Sequence, residues 1–197
     1  MARHDEPLGV LCLEGEWEPD DPANRQSVRP MMTMLEDLGL IRFFHRDVAT
    51  YAELQHYLTR WTTDSLGDYR FGYFAFHGGP RELCLNENKK DEHSAVSLET
   101  LGGLLAGACR GRAVHFASCS VLDVEGTELA DFRKQAGARA VSGYSKDIDW
   151  VPSAALELLL ITAIAQGSIR RIDVAVDKVR AQNAELMDDL GFKIAAS

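Results

Sequence analysis

A histidine and a cysteine, each closing an apolar run, are the residues of this sequence best suited to chemistry. Tyr73-Phe-Ala-Phe-His77-Gly78-Gly79 and Val114-His115-Phe-Ala-Ser-Cys119-Ser120 both read as buried strands that end abruptly in a reactive side chain among small residues. Open α/β sheets place their chemistry at the C-terminal ends of their strands. A thiol needs a nearby base or cation to persist as thiolate, and an imidazole supplies that near neutral pH and then protonates a leaving amine. The two glycines after His77 let a substrate carbonyl approach the backbone, with the N–H groups of Gly78 and Cys119 as oxyanion donors. The pair points to a Cys–His hydrolase.

In this order, at strand ends, the His-Gly and small-Ser-Cys-Ser motifs resemble those of the caspase-like (clan CD) cysteine peptidases, and among them the bacterial CHAT and short prokaryotic caspase-like proteins. Gly137-Ala-Arg-Ala-Val-Ser-Gly143 looks like the strand that follows the nucleophile in CHAT domains, and the helix after Pro152 extends the likeness over most of the chain. The resemblance implies a peptidase acting on protein or peptide through a His77–Cys119 dyad, with no cofactor. It implies a sheet order of 2-1-3-4-5 that makes the third and fourth strands neighbours. It also implies a bacterial signalling or defence effector, switched on by a separate sensor or activator protein.

In such peptidases the loop after the fifth strand contributes to the pocket for the residue before the scissile bond. Asp147 and Asp149 there would favour Arg or Lys, and the exposed Lys89-Lys90 would then be open to self-cleavage. Asp149 reads equally well as support for the N-terminus of the helix beginning near Pro152, and Trp150 either walls the pocket or packs. His115 shares parity with Cys119 and is the rival base, but its apolar neighbours place it mid-strand as a buried histidine. His45 reads as a packing or hydrogen-bonding residue, and Asp123 as a loop or cap residue. Glu16, Asp20 and Asp21 either rim the cleft or are simply solvated. A metal site from His77, Cys84, His93 and Cys119 has no supporting spacing. Two other readings of the whole chain stand beside the peptidase: a non-catalytic interaction module, and a small-molecule thiol hydrolase.

A net charge of −9 with scattered Lys and Arg disfavours a nucleic-acid backbone or an anionic membrane as partner. The longest apolar run, from Ala154 to Ala165, is interrupted by Glu157 and is too short to span a bilayer. The N-terminus carries no signal-peptide pattern, which predicts a cytoplasmic protein. Cys12, Cys84, Cys109 and Cys119 have no C-x-x-C spacing and read as free thiols. The acidic segment after Leu13 is unlike a Gly-rich phosphate loop.

The elements that must position the dyad alternate. Leu8 to Leu13, Ile41 to His45, Phe71 to Phe76, Ala113 to Ala117 and Ala138 to Ser142 are the predicted strands, with Glu14 to Asn24 as a loop. Helices are expected over Ser27 to Leu38, from the capping box Thr50-x-x-Glu53 through Trp61, and over Leu98 to Cys109. Further helices span Thr127 to Gln135, Pro152 to Ala165 and Ile169 to Leu186. Glu82 to Leu85 and Ala95 to Ser97 are expected to pair as a short hairpin. Such alternation demands right-handed crossovers. The expected fold is one α/β domain over 1–197, a caspase-like three-layer sandwich whose mostly parallel sheet is flanked by helices.

Overall fold

The computed structural model describes residues 6–18, 21, 23–86 and 94–197; Asp20, Lys89, Lys90 and His93 lie outside these. In chain order the elements are β1 (Leu8–Glu14), α1 (Arg29–Asp37), β2 (Ile41–Asp47), α2 (Tyr51–Thr62), β3 (Phe71–Ala75), β4 (His77–Gly79), β5 (Glu82–Cys84), β6 (Ala95–Ser97), α3 (Leu98–Leu104), β7 (Ala113–Phe116), α4 (Glu128–Ala136), β8 (Ala140–Tyr144), α5 (Trp150–Gln166), α6 (Ile172–Asp189) and β9 (Phe192–Ala196). The main sheet runs β2-β1-β3-β7-β8-β9. Its first five strands are parallel and β9 is antiparallel to β8. This is the expected α/β sandwich, with the expected strand order and one further edge strand.

Side-chain parity builds the layers, because alternate residues of a strand point to opposite faces. Val10, Cys12, Phe71, Tyr73, Ala75, Ala113 and Tyr144 pack with α1, α5 and α6 on one face. Leu11, Leu13, Phe74, Phe76, Val114, Phe116 and Val141 pack with α2, α3 and α4 on the other. Both faces are therefore covered, which is what an apolar parallel sheet requires.

Helix ends follow local chemistry. Thr50 Oγ1 accepts from Glu53 N at 3.3 Å while Glu53 Oε2 accepts from Thr50 N at 3.1 Å, closing the capping box that starts α2. α4 stops at Gly137, whose φ of +70° is left-handed. α3 ends at Leu104, short of the expected Cys109, after the poor helix formers Gly102 and Gly103. Among the described residues no single helix is long and apolar enough to cross a membrane.

Two departures bear on the site. His77 does not extend β3; it opens β4, which pairs antiparallel with β5, and β5 with β6, as a separate small sheet. Glu14 is not the first residue of a loop but the last of β1, aligned with Ala75 on one side and Asp47 on the other.

Candidate active site

The turn from β3 into β4 is set by the segment that carries the cysteine. Ser118 Oγ accepts from Phe76 N at 3.2 Å and donates to Phe74 O at 3.4 Å, while Ala117 N donates to Phe74 O at 2.9 Å. Gly78 then crosses directly over the backbone of Cys119. A Cβ built at Gly78 would lie 2.4 Å from Cys119 O and 2.8 Å from Val121 Cγ2. Only a residue without a side chain permits that approach, which carries His77 to the end of β7.

His77 and Cys119 open onto the same cavity, of about 320 Å³, at the C-terminal edge of the main sheet. Its mouth is aromatic: Trp17 meets the His77 ring edge-on at 5.2 Å between centroids and Trp150 at 4.8 Å. Beneath the pair, Ala117 adds only a methyl to the lining, and Tyr73 and Glu157 close the floor.

Each reactive side chain is held by backbone. His77 Nε2 lies 2.6 Å from Trp17 O. A carbonyl oxygen can only accept, so Nε2 carries a proton and Nδ1 is the ring nitrogen left to exchange one. Cys119 Sγ accepts from Ile148 N at 3.4 Å and faces Ile148 O at 3.8 Å. The Cys119 N–H has no protein acceptor among the described residues. Ser120, immediately after the nucleophile candidate, has a left-handed φ of +53°. Its N–H donates to Lys146 O at 2.9 Å and its Oγ to Asp147 Oδ1 at 2.5 Å.

The other thiols are separated from Cys119 by their surroundings. Burial pushes the Cys109 thiol up to about 12. Burial, reinforced by the Glu14 carboxylate, holds Cys12 far above the usual thiol range. Cys84 is half-buried and sits opposite His77 in the β4–β5 register, but it is not part of the cavity lining.

Asp147 and Asp149 do not line the cavity. Asp147 is engaged by Ser120, and Asp149 occupies the N-cap position of α5 without a side-chain capping hydrogen bond. His115 is buried in the core, its Nδ1 2.9 Å from Ser142 Oγ, and does not line the cavity either. His45 hydrogen-bonds Glu14. A triad of Glu14, His45 and Asp47 could geometrically hold a metal ion. The Glu14 carboxylate is nonetheless already saturated, by Trp17 Nε1 at 2.6 Å, Val28 N at 2.8 Å, Ser27 Oγ at 2.8 Å and His45 Nε2 at 2.7 Å.

That saturation is a positioning device the sequence did not announce. Burial alone would raise the Glu14 carboxyl, but the bonds from His45, Trp17, Val28 and Ser27 together hold it below its ordinary value. The anion gathers the residues after β1 around itself. Through the indole of Trp17 it fixes the residue whose carbonyl holds His77.

A family model covers residues 8–195. The chain belongs to the DUF6642 family, a family of unknown function. No curated protein matches the sequence. Among solved structures, pro-sf-caspase-1 is similar at 9% identity and a TM-score of 0.58, over 98% of this chain and 92% of that one. The Arg specific cysteine proteinase gingipain R is similar at 12% identity and a TM-score of 0.55, over 96% of this chain and 46% of that one. At such identities the likeness to these two proteins shows the fold alone, a caspase-like α/β sandwich. This DUF6642 chain shares their architecture with a thiol and an imidazole on one cavity.

Proposed function

We propose that this protein is a caspase-like cysteine endopeptidase using Cys119 and His77. The observation that carries the reading is that Cys119 and His77 line one cavity, each braced by a backbone group. The Cys119 thiolate attacks the substrate carbonyl, and the N–H groups of Gly78 and Cys119 receive the oxyanion. His77, protonated on both nitrogens at that stage, gives its Nδ1 proton to the leaving amine as the C–N bond breaks. A water then loses a proton to Nδ1 and attacks the thioester, releasing the acid and the thiol. No cofactor takes part in this scheme.

The finer reading is a cytoplasmic bacterial effector of CHAT or short prokaryotic caspase-like type, recruited or activated by a separate sensor protein. It cleaves protein or peptide substrates with a preference for Arg or Lys before the scissile bond. A second reading, a thiol hydrolase of small molecules, draws on the cavity itself, whose volume is at the low end of small-ligand pockets.

Cleavage of a peptide library by wild type and Cys119→Ala tests the first reading. Cleavage by wild type that vanishes in the variant is expected. Cleavage that survives Cys119→Ala overturns it, and turnover of small thioesters or esters without any peptide cleavage favours the second.

A further inference from the structure

Glu157 is the only charged residue among the 17 positions of α5, a mostly apolar helix. The side chain is 4% exposed, yet it reaches the floor of the cavity that holds His77 and Cys119. Tyr73 Oη donates to its Oε2 and Tyr144 Oη to its Oε1 at 3.0 Å. Both oxygens therefore accept from phenols, as a carboxylate does. Among the described residues no Lys or Arg pairs with it. His115 Nε2 lies 3.5 Å from Oε1 but makes no hydrogen bond, and its other nitrogen is engaged with Ser142. A buried carboxylate with neutral donors and no bonded cation is an incomplete arrangement, because burying a charge is costly unless it is paired.

The cavity that Glu157 lines has room for such a partner. Tyr73 and His115 are register neighbours in β3 and β7, and Ala75 and Ala117 follow on the same face toward the dyad. Of the two alanines, Ala117 lines the cavity that the reactive pair and the carboxylate share. Met31 and Ala154 also line it; Ser27, Ser118 and Ser153 interrupt otherwise mostly apolar walls, and Glu157 is the one acidic residue of the lining. An unbranched apolar stem with a cation at its tip matches that profile.

We propose that Glu157 is the specificity-determining residue of the candidate site, taking the guanidinium or ammonium of an Arg or Lys that precedes the scissile bond. The proposal rests on the peptidase reading and moves the charge partner from the loop aspartates, which do not line the cavity, to the helix behind it. Tyr73, whose hydroxyl keeps its acceptor lone pairs, shares the cation.

Two experiments separate this proposal from the peptidase reading. Peptide acyloxymethyl ketones with matched Arg, Leu and Asp residues before the warhead are reacted with wild type, Glu157→Gln, Asp147→Asn and Asp149→Asn. The Arg-over-Leu ratio of Cys119 labelling should fall by at least about 30-fold in Glu157→Gln, as for a desolvated ion pair, and little in the two aspartate variants. A wild-type preference for Leu or Asp, or a selective loss in an aspartate variant with none in Glu157→Gln, overturns the assignment while leaving the dyad intact. The second experiment needs no peptide and no variant: benzamidine should slow alkylation of Cys119 by iodoacetamide in wild type, while benzyl alcohol should not. Failure of every ketone to label Cys119 defeats the peptidase reading, and benzamidine protection would still support the cation site. Equal effects of benzamidine and benzyl alcohol overturn it, even if Glu157→Gln does not fold.

Discussion

Gly78 is the residue whose replacement most directly tests how the site is assembled. An added Cβ would sit 2.4 Å from Cys119 O, where ordinary contact begins near 3.4 Å, and 3.1 Å from Ser118 Cβ. The nearest obstacle is backbone, so β4 must retreat by about 1 Å rather than a side chain rotate aside. Gly78→Ala keeps the N–H, which isolates the displacement from any loss of an oxyanion donor. Overpacking of this kind costs about 1–3 kcal/mol, or a fall in Tm of roughly 2–4 °C for each kcal/mol in a chain of this size. Displacing His77 from Cys119 by about 1 Å should reduce kcat/KM on the order of 100-fold. Gly79→Ala is the internal control: its Cβ would meet only the flexible Glu82 carboxylate, at 3.3 Å, and both effects should be small. Thermal melts, peptide kcat/KM and the rate of Cys119 alkylation by iodoacetamide give three readouts, the last independent of substrate. If Gly78→Ala matches Gly79→Ala in all three, the close crossing of β4 over Cys119 does not position the dyad.

Alkylation under native conditions, followed by peptide mass mapping, should mark Cys119 and the half-buried Cys84 and spare Cys12 and Cys109 until denaturant is added. Modification of Cys109 as fast as Cys119 would contradict a thiol pushed up to about 12 by burial. Because the Glu14 carboxyl is held below its ordinary value, its contribution to stability is complete above the unfolded carboxylate range and is lost as pH falls through the lowered folded value. Glu14→Gln should therefore cost about 1–3 kcal/mol at neutral pH and lose part of the acid-side decline seen in wild-type melts; unchanged acid curves would show that Glu14 is not the group responsible. Cys119→Ala, His77→Ala and the double variant should lose similar amounts of activity, since nucleophile and base act in one step; losses that multiply would place them in separate steps.

What the sequence displayed is what local patterns encode. Phe71 to Phe76 and Val114 to Phe116 are continuous apolar runs, so the strands that deliver His77 and Cys119 are legible, as is the Thr50–Glu53 capping box. The supports are not, because they are backbone groups or long-range pairs. Trp17 O and Ile148 N have no side-chain signature, and the donors that bury Glu14 arrive from Ser27, Val28 and His45, far along the chain. β9 escaped because its pattern is short and follows a long helix after Gly191, where a left-handed φ of +63° turns the chain back. Glu157 did leave a signal, a single charge inside an apolar helix. That signal says only that a partner exists; Tyr73 and Tyr144 come from strands whose facing could not be known before the sheet was seen.

Asp147 shows why an acid close in sequence to an expected pocket need not read the substrate. Ser120 holds a left-handed backbone that a non-glycine residue adopts at a cost of roughly 1–3 kcal/mol. That turn follows Cys119 directly and is braced by Ser120 Oγ on Asp147 Oδ1 and Ser120 N on Lys146 O. Asp147 therefore bears on Cys119 through Ser120. Asp147→Asn keeps an oxygen acceptor for the hydroxyl, whereas Asp147→Ala removes it and frees the turn to relax. Activity should fall in the order wild type, Asp147→Asn, Asp147→Ala, and by the same factor on matched Arg, Leu and Asp substrates, because the change lies in Cys119 rather than in the pocket. A loss confined to Arg substrates would instead return Asp147 to the pocket and refute the brace.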